Sequence, residues 1–247
     1  MIKIEVLYPE VCNLYGDLFN IKFLEKSIGD VKIINTKLTE KPKFVSEKVD
    51  MIYMGPMSER MQLVVIEKLK PYKEKIEELI ENGQVFLFTG NAPEVLANYI
   101  QDDKKEKHDA LGIFDYYVTQ DLMHRYNTLF MGTLRHLDDE KDAEEIKIMG
   151  FKATFSFMFG DNSKEYAFKS IKGCGINKES TLEGIRKNNF FGTSLIGPVL
   201  TINPDFSKYL MKLMGVKNPK IAFEDIAKEC FEQRLKEFED SSKNYLQ

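Results

Sequence analysis

The sequence predicts an α/β fold in which a mostly parallel sheet is flanked by helices, with some antiparallel strands in the second half of the chain. Short apolar runs alternate with amphipathic stretches through the first part of the chain, as in proteins built from strand–helix–strand units. Residues 85–88 (VFLF) form an uninterrupted apolar run, which indicates a strand buried on both faces. Residues 151–158 instead alternate apolar and polar side chains, which is typical of an antiparallel strand with one face in water.

The first half of the chain supplies the elements of the parallel sheet in order. Each strand candidate is a short apolar run, and each helix candidate repeats apolar residues every three or four positions. The strand candidates are residues 2–7, 31–35, 51–54 and 85–88, and the helix candidates are residues 18–28, 58–70 and 76–82. After the last of these strands, Asn91 is the expected N-cap of a further helix, with Pro93 in its first turn. The buried face of that helix is expected to hold Val95, Leu96, Tyr99 and Ile100.

The second half predicts shorter strands followed by two helices. In the alternating segment, one face is expected to be buried (Ala153, Phe155, Phe157) and the other to be in water (Lys152, Thr154, Ser156). Residues 166–168 and 190–191 are further strand candidates, and helices are expected over 206–214 and 223–238, with Cys230 on an apolar face. No repeat, low-complexity tract or linker interrupts the sequence, which predicts one domain spanning residues 1–247.

The composition excludes several classes of protein. A net charge of −4 and a pI of about 5.6 lack the basic excess of a nucleic-acid-binding protein. Three widely spaced cysteines argue against a disulfide framework and indicate a reducing, cytoplasmic compartment. No secretory signal and no apolar run of about 20 residues stands out, so no membrane span is expected. The three histidines lack the i, i+4 spacing of a helical zinc site, so neither a metal nor another cofactor is expected.

A strand, a tight turn and a helix start follow one another at residues 85–94, an arrangement that exposes a nucleophile in many α/β enzymes. Thr89 stands at the apex of this turn, and the N–H groups of the following helix would favour negative charge beside it. The same spacing also suits an ordinary strand-to-helix connection. Spacing alone favours the ordinary connection.

Several motifs in a fixed order resemble one enzyme family. They are LYPE at 7–10, NLYGD at 13–17 with Asn20, a Gly-rich turn at 55–62 that retains Arg60 and Gln62, LGIFD at 111–115, GCGIN at 173–177, and FGTSLIGP at 191–198 followed by Asn203. Together they resemble the GatD/CobQ-type class I glutamine amidotransferases, from about residue 5 to about residue 214. The resemblance implies a flavodoxin-like three-layer fold, a glutamine-like small molecule as ligand, and a Mur-ligase-type synthetase in peptidoglycan synthesis as partner.

The chain departs from this family at the residues that carry the chemistry. Glutamine hydrolysis of this type needs a thiolate nucleophile and a histidine, but Thr89 stands at the cysteine position and Ile196 at the histidine position. Threonine ionises far less readily than cysteine, and isoleucine has no lone pair with which to act as a base. Pro56 in the Gly-rich turn also lacks an N–H that could stabilise an oxyanion. We therefore expect a catalytically degenerate glutaminase subunit that acts by binding a synthetase partner, or a ligand in the former glutamine pocket.

Two alternatives stay open. One is an active amidase or hydrolase with a re-purposed nucleophile, either Thr89 or Cys174, which is expected in a surface loop between two glycines. The other is a small-molecule-binding or scaffold module without catalysis. Some substrate-binding residues are expected to survive: the resemblance places Arg125 near the substrate carboxylate, where an arginine donates paired N–H groups, and adds Gly55 and Gly90. An ordinary surface arginine is the alternative for Arg125.

Overall fold

The computed structural model describes residues 1–137, 140 and 143–240, and in them a central sheet and two smaller sheets. The strands are β1 (Ile2–Leu7), β2 (Val31–Thr36), β3 (Met51–Met54), β4 (Val85–Thr89), β5 (Tyr99–Gln101), β6 (Lys107–Asp109), β7 (Tyr117–Gln120), β8 (Tyr126–Leu134), β9 (Lys147–Thr154), β10 (Ser156–Phe159), β11 (Phe168–Lys172), β12 (Leu182–Glu183), β13 (Ile185–Lys187) and β14 (Phe190–Thr193). The helices are α1 (Phe19–Ile28), α2 (Glu59–Leu69), α3 (Lys73–Glu81), α4 (Val199–Ile202), α5 (Pro204–Leu213) and α6 (Glu224–Glu239).

The central sheet has the strand order β13–β14–β4–β3–β1–β2. Each of its pairings is parallel except that of the edge strand β13 with β14. Successive side chains of β4 point to opposite faces. Phe86 and Phe88 therefore join a core cluster with α2 and α3, whereas Val85 and Leu87 join the cluster that contains α1 and α5. The predicted mostly parallel sheet with helices on both faces is confirmed.

The two smaller sheets are built largely from the second half of the chain. Their strand orders are β10–β7–β5–β6 and β12–β11–β8–β9, and within them only β5 and β7 pair in parallel. The antiparallel strands predicted for this half are therefore confirmed. In the part of the chain that the structure describes, every helix falls short of the length and apolar character that crossing a bilayer requires.

The helix predicted after Asn91 is wrong. The chain makes only a five-residue 3₁₀ turn, Ala92–Leu96, and leaves it at Ala97, whose backbone is extended. Tyr99 and Ile100, expected on a helix face, instead belong to β5, where Tyr99 stacks on Tyr117 of the neighbouring strand with ring centroids 5.3 Å apart. Aromatic and β-branched side chains favour strands. Pairing with β6 and β7 has here overridden the helical spacing of the apolar residues.

The single strand predicted at residues 151–158 is also wrong, both in its continuity and in its faces. The segment is divided between β9, which pairs with β8, and β10, which pairs with β7. Lys152 and Ser156, expected in water, are buried, and Phe151 is 37% exposed. The reversal has a physical cause, because each buried polar side chain finds a glutamate as its partner: Lys152 pairs with Glu183, and Ser156 donates a hydrogen bond to Glu94.

Candidate functional site

Thr89 ends β4 with its side chain turned into the protein. The residue is fully buried and its backbone has a negative φ, so it does not adopt a strained turn conformation. The positive φ of the turn, +62°, belongs to the next residue, Gly90. The Thr89 hydroxyl donates a hydrogen bond to Oδ2 of Asp17. The oxygen expected at the apex of a nucleophile turn is thus buried and already bonded to a carboxylate.

Asp17 is the centre of a buried polar cluster. Its Oδ2 also accepts a hydrogen bond of 2.5 Å from the Tyr53 hydroxyl, and Asn20 Nδ2 donates to the Asp17 carbonyl at 3.0 Å. Asn20 in turn accepts from the backbone N–H of Leu200 at 2.8 Å, which joins the cluster to α4. Burial raises the pKa of Asp17. Its Oδ1 has no hydrogen-bond partner among the described residues.

Sequence reasoning missed the role of this cluster, although signals for it were present. Asp17 is the last residue of the NLYGD motif and Asn20 follows it three residues later. Tyr53 carries the only hydroxyl group in the apolar run MIYM. A buried tyrosine hydroxyl usually has a partner. The sequence could not show that this partner comes from a loop 36 residues away.

Two apolar side chains cover the turn that follows Thr89. A Cβ added to Gly90 would lie 2.5 Å from Cβ of Pro56 and 3.4 Å from Cγ2 of Ile196, so both residues pack directly on this glycine. Ile196 is itself buried and forms an antiparallel bridge with Phe151, with N–H···O distances of 2.9 and 3.3 Å. The structure therefore brings Ile196 against Gly90, the residue that follows Thr89. Ile196 packs against the turn at Gly90 and does not form an open catalytic pair with Thr89.

Little room is left above this cover. The depression beside Gly90 and Ile196 has a volume of about 30 Å³ and is walled by Tyr15 and Phe155, among others. Ligand pockets usually have about 300–1,000 Å³, and one water needs about 10–15 Å³ on the same kind of measure. The depression therefore has space for a water or two, and a glutamine-sized molecule does not fit it.

Gly55, the other glycine expected at a substrate, has a packing reason of its own. A Cβ at this position would lie 2.7 Å from the carbonyl oxygen of Cys12 and 3.1 Å from the Tyr53 hydroxyl. Only glycine allows these two loops to approach so closely. Gly55 therefore contributes to holding the Gly-rich turn against the buried cluster around Asp17.

An anion-binding helix N-terminus is expected at Asn91, but the described residues that follow Asn91 form no α-helix. The five-residue turn that replaces the helix has no side-chain cap. The Asn91 side chain instead accepts from the Met57 N–H at 2.9 Å and donates to the Met57 carbonyl at 2.8 Å. Asn91 thus fastens the turn to the loop that carries Pro56, which keeps the cover over Gly90 in place.

Arg125 lies outside the depression and is exposed. Its guanidinium carbon is 4.5 Å from the ring centroid of Phe155, one of the residues that wall the depression. This distance is typical of a cation–π contact. The structure thus places Arg125 close to the depression, with its charged group against an aromatic ring.

No cysteine–histidine pair is assembled within the described residues. Cys174, expected in a surface loop, is buried and contacts the Tyr126 hydroxyl. Cys12 is fully buried, and burial raises its pKa to about 12. Cys230, expected to be core-like, is exposed on α6. The three histidines lie beside carboxylates instead: His108 by Asp102, His124 by Asp121 and His136 by Glu140.

Among the described residues, one group of side chains has the spacing of cation ligands. Ligand atoms of Asp102, Glu106 and His108 lie within 4.8 Å of one another at a hairpin. The Asp102 carboxylate already accepts from the backbone N–H groups of Lys104 and Glu106, which shapes the turn. These contacts explain the cluster without a metal.

A second buried network lies beneath the loop that follows Thr89. Glu94 accepts hydrogen bonds from the Ser156 hydroxyl and, at 2.8 Å, from Gln62 Nε2. Gln62 also donates to the Asn91 carbonyl at 2.9 Å and accepts from Gln120 at 3.1 Å. The Gln62 that the family motif retains is therefore a structural residue in this chain. Burial raises the pKa of Glu94 to about 7.

This raised pKa predicts a measurable loss of stability as the pH rises. The folded protein holds the Glu94 proton more tightly than the unfolded chain, whose value is 4.5. The stabilisation is therefore fully present below pH 4.5 and is lost as the pH rises through about 7, a change of roughly 3 kcal/mol. Glu94→Gln, which stays neutral, should remove this pH dependence in urea unfolding between pH 5 and 8. The exposed Glu74→Gln on α3 is the control, and an unchanged pH dependence in Glu94→Gln would contradict the assignment.

Comparison with known proteins identifies similar sequences. Residues 3–203 match the family model of the CobB/CobQ-like glutamine amidotransferase domain. The chain is 24% identical over 233 residues to the lipid II isoglutaminyl synthase (glutamine-hydrolyzing) subunit GatD of Streptococcus pneumoniae, an alignment that covers 91% of this chain and 86% of that protein. It is 26% identical over 212 residues to the GatD subunit of Staphylococcus aureus, covering 81% of this chain and 79% of that protein.

Solved structures agree with the fold. PurLQS from Thermotoga maritima superposes with a TM-score of 0.55 at 14% identity, covering 95% of this chain and 99% of that chain. A crystal structure of a glutamine amidotransferase superposes with a TM-score of 0.52 at 16% identity, covering 86% of this chain and 99% of that chain. These likenesses confirm the predicted amidotransferase-like α/β fold.

Proposed function

The chain belongs to the CobB/CobQ-like glutamine amidotransferase family, and on that premise we propose that it is a member that no longer hydrolyses glutamine and acts by binding a synthetase partner. The partner proposed is a synthetase subunit, because two relatives are named as GatD subunits of lipid II isoglutaminyl synthase. Its Mur-ligase type is what the family resemblance of the sequence implies. In this proposal the chain contributes a binding surface to the assembly and does not supply it with ammonia from glutamine.

The main support for a loss of hydrolysis is the burial of Thr89 against Asp17. A nucleophile must reach the substrate carbon. The Thr89 oxygen is not exposed, and its hydroxyl donates a hydrogen bond to Asp17 in the protein interior. Ile196 occupies the position from which a histidine would serve it and has no group that accepts a proton. Removing a nucleophile together with its base eliminates nearly all covalent catalysis, because the two act as a unit.

The other proposed nucleophile gains no support from its surroundings. A reactive cysteine needs a lowered pKa and access to solvent. Cys174 is buried, and its contact is a tyrosine hydroxyl rather than a basic group. An amidase that uses Cys174 is therefore the less favoured function.

Glutamine turnover tests the first half of the proposal. The purified chain should release no glutamate from glutamine above the buffer rate, and Thr89→Val should leave that result unchanged. The positive control is the Streptococcus pneumoniae relative, assayed in parallel as part of its own complex. Labelling with a glutamine-analogue electrophile should give no adduct by mass spectrometry. Turnover that disappears in Thr89→Val, or an adduct on Thr89 or Cys174, would contradict the proposal.

Co-purification tests the second half. A tagged chain, expressed at its native level in its own cells, should copurify with a synthetase subunit in a stoichiometric complex that survives gel filtration. Mass spectrometry identifies the partner, and a tagged, unrelated protein of similar size controls for background. A chain that elutes alone under these conditions, or with a protein of another class, would contradict partner binding while leaving the loss of hydrolysis unaffected.

A further inference from the structure

An open apolar groove lies between α1 and α6, apart from the depression near Thr89. Its volume is about 520 Å³, and α4 contributes Thr201 and Ile202 to its lining. Large apolar side chains at its edge are left in water: Phe223 is 69% exposed and Ile226 62% exposed. Contiguous apolar surface of this kind usually marks an interaction site.

The two walls of the groove are fixed to each other. The backbone N–H of Ala222 donates to the Ser27 hydroxyl at 2.9 Å, which ties the start of α6 to the last turn of α1. Phe223, the residue before α6, has a φ of +55°, a conformation that a bulky side chain rarely adopts. The groove is therefore preformed, which lowers the entropic cost of binding.

The charged side chains that line the groove have one sign. Lys22 and Lys26 lie one helical turn apart on α1, and Arg234 lies on α6. Among the described residues, no aspartate or glutamate lines the groove, although the chain as a whole has a net charge of −4. An occupant that complements this surface therefore has an apolar face with carboxylates beside it.

We propose that this groove binds an amphipathic helix of a partner protein whose apolar face is flanked by aspartate or glutamate. A helix is the occupant that fits, because the groove lies between two helices and is lined by large apolar side chains, as in other helix-in-groove complexes. The acidic flanks place their carboxylates next to Lys22, Lys26 and Arg234. The proposal concerns this surface and does not depend on the identity of the synthetase partner.

Two synthetic stapled helices test the proposal directly. They share one leucine face and differ only in carrying glutamates or lysines beside it, and fluorescence anisotropy measures their binding to the full chain. The acidic helix should bind about tenfold more tightly than the basic one at low salt, and the preference should shrink as salt rises. Failure of both helices to bind, or equal binding of the two, would overturn the proposal.

Variants locate the binding in the groove. Ile226→Glu should abolish binding of the acidic helix, whereas Ile171→Glu, at an equally exposed isoleucine on β11 outside the groove, should leave it unchanged. The double variant Lys22→Glu/Lys26→Glu should reverse the preference in favour of the basic helix. Equal effects of the two isoleucine variants would overturn the proposal. So would a concentration-dependent dimer by light scattering that Ile226→Glu dissociates, because that result assigns the groove to a second copy of the chain.

Discussion

Replacing Lys152 with methionine is expected to lower the free energy of unfolding by about 3–5 kcal/mol. Lys152 and Glu183 form an ion pair of 2.5 Å with both side chains almost completely buried. The ammonium group also donates to the Gly175 carbonyl, and the other Glu183 oxygen accepts from the hydroxyls of Thr193 and Ser194 at 2.9 and 2.8 Å. Methionine fills a similar space but leaves the Glu183 carboxylate without its counter-charge.

The same strand provides a matched control for this change. Lys147, also on β9, pairs with Glu239 at 3.2 Å, but both side chains are partly in water. Lys147→Met should therefore cost less than about 1 kcal/mol. The double variant Lys152→Met/Glu183→Gln should regain part of the lost stability, because it removes both buried charges. Guanidinium unfolding measures all three, and equal losses for Lys152→Met and Lys147→Met would contradict the importance of burial.

The buried ion pair also explains how the second half of the chain is joined to the central sheet. Lys152 lies on β9 and Glu183 on β12, two strands of one antiparallel sheet, whereas Thr193 ends β14 of the central sheet. One carboxylate therefore joins both sheets just before the chain reaches Ile196. We expect the position of Ile196 over Gly90 to depend on this junction.

The sequence predicted those parts of the fold in which local pattern and burial agree. The apolar run at 85–88 is buried on both faces because β4 is a central strand whose alternate side chains pack into the two core clusters. No long-range information was needed to recognise it. At Lys152 the pattern misled, because a lysine in an alternating strand normally faces water. Its partner Glu183 is 31 residues away, and the sequence contains no local sign of that contact.

The motifs single out residues for the candidate site, but they do not reveal the contacts of those residues. The resemblance singles out Thr89 and Ile196. In the structure Thr89 lies opposite Thr193 in the register of β4 and β14, and Ile196 follows three residues after β14 ends. The hydrogen bond from Thr89 to Asp17 spans 72 residues, and the cover by Pro56 depends on how two loops approach. Such contacts are properties of the folded chain, and spacing along the sequence does not reveal them.

Restoring the family's catalytic pair with Thr89→Cys/Ile196→His is expected to give no glutamine hydrolysis. The new thiol would be as buried as Cys12, where burial raises the pKa to about 12. A thiol buried in this way is disfavoured as a thiolate at pH 7. It would also face Asp17, whose carboxyl group provides no positive charge to stabilise a thiolate.

The histidine of this double variant is expected to cost stability without supplying a base. Ile196 is 3% exposed and packs on Gly90, so an imidazole there loses apolar contacts and buries polar nitrogens, at a cost of about 2–4 kcal/mol. Glutamate release measures hydrolysis, and thermal unfolding measures the loss of stability. The control is Thr89→Ser/Ile196→His, which has the same histidine but lacks the thiol. The depression of about 30 Å³ would still exclude the substrate. Hydrolysis by the cysteine variant but not by the serine variant would show that the pocket opens in solution, and that two substitutions alone separate this chain from a working glutaminase.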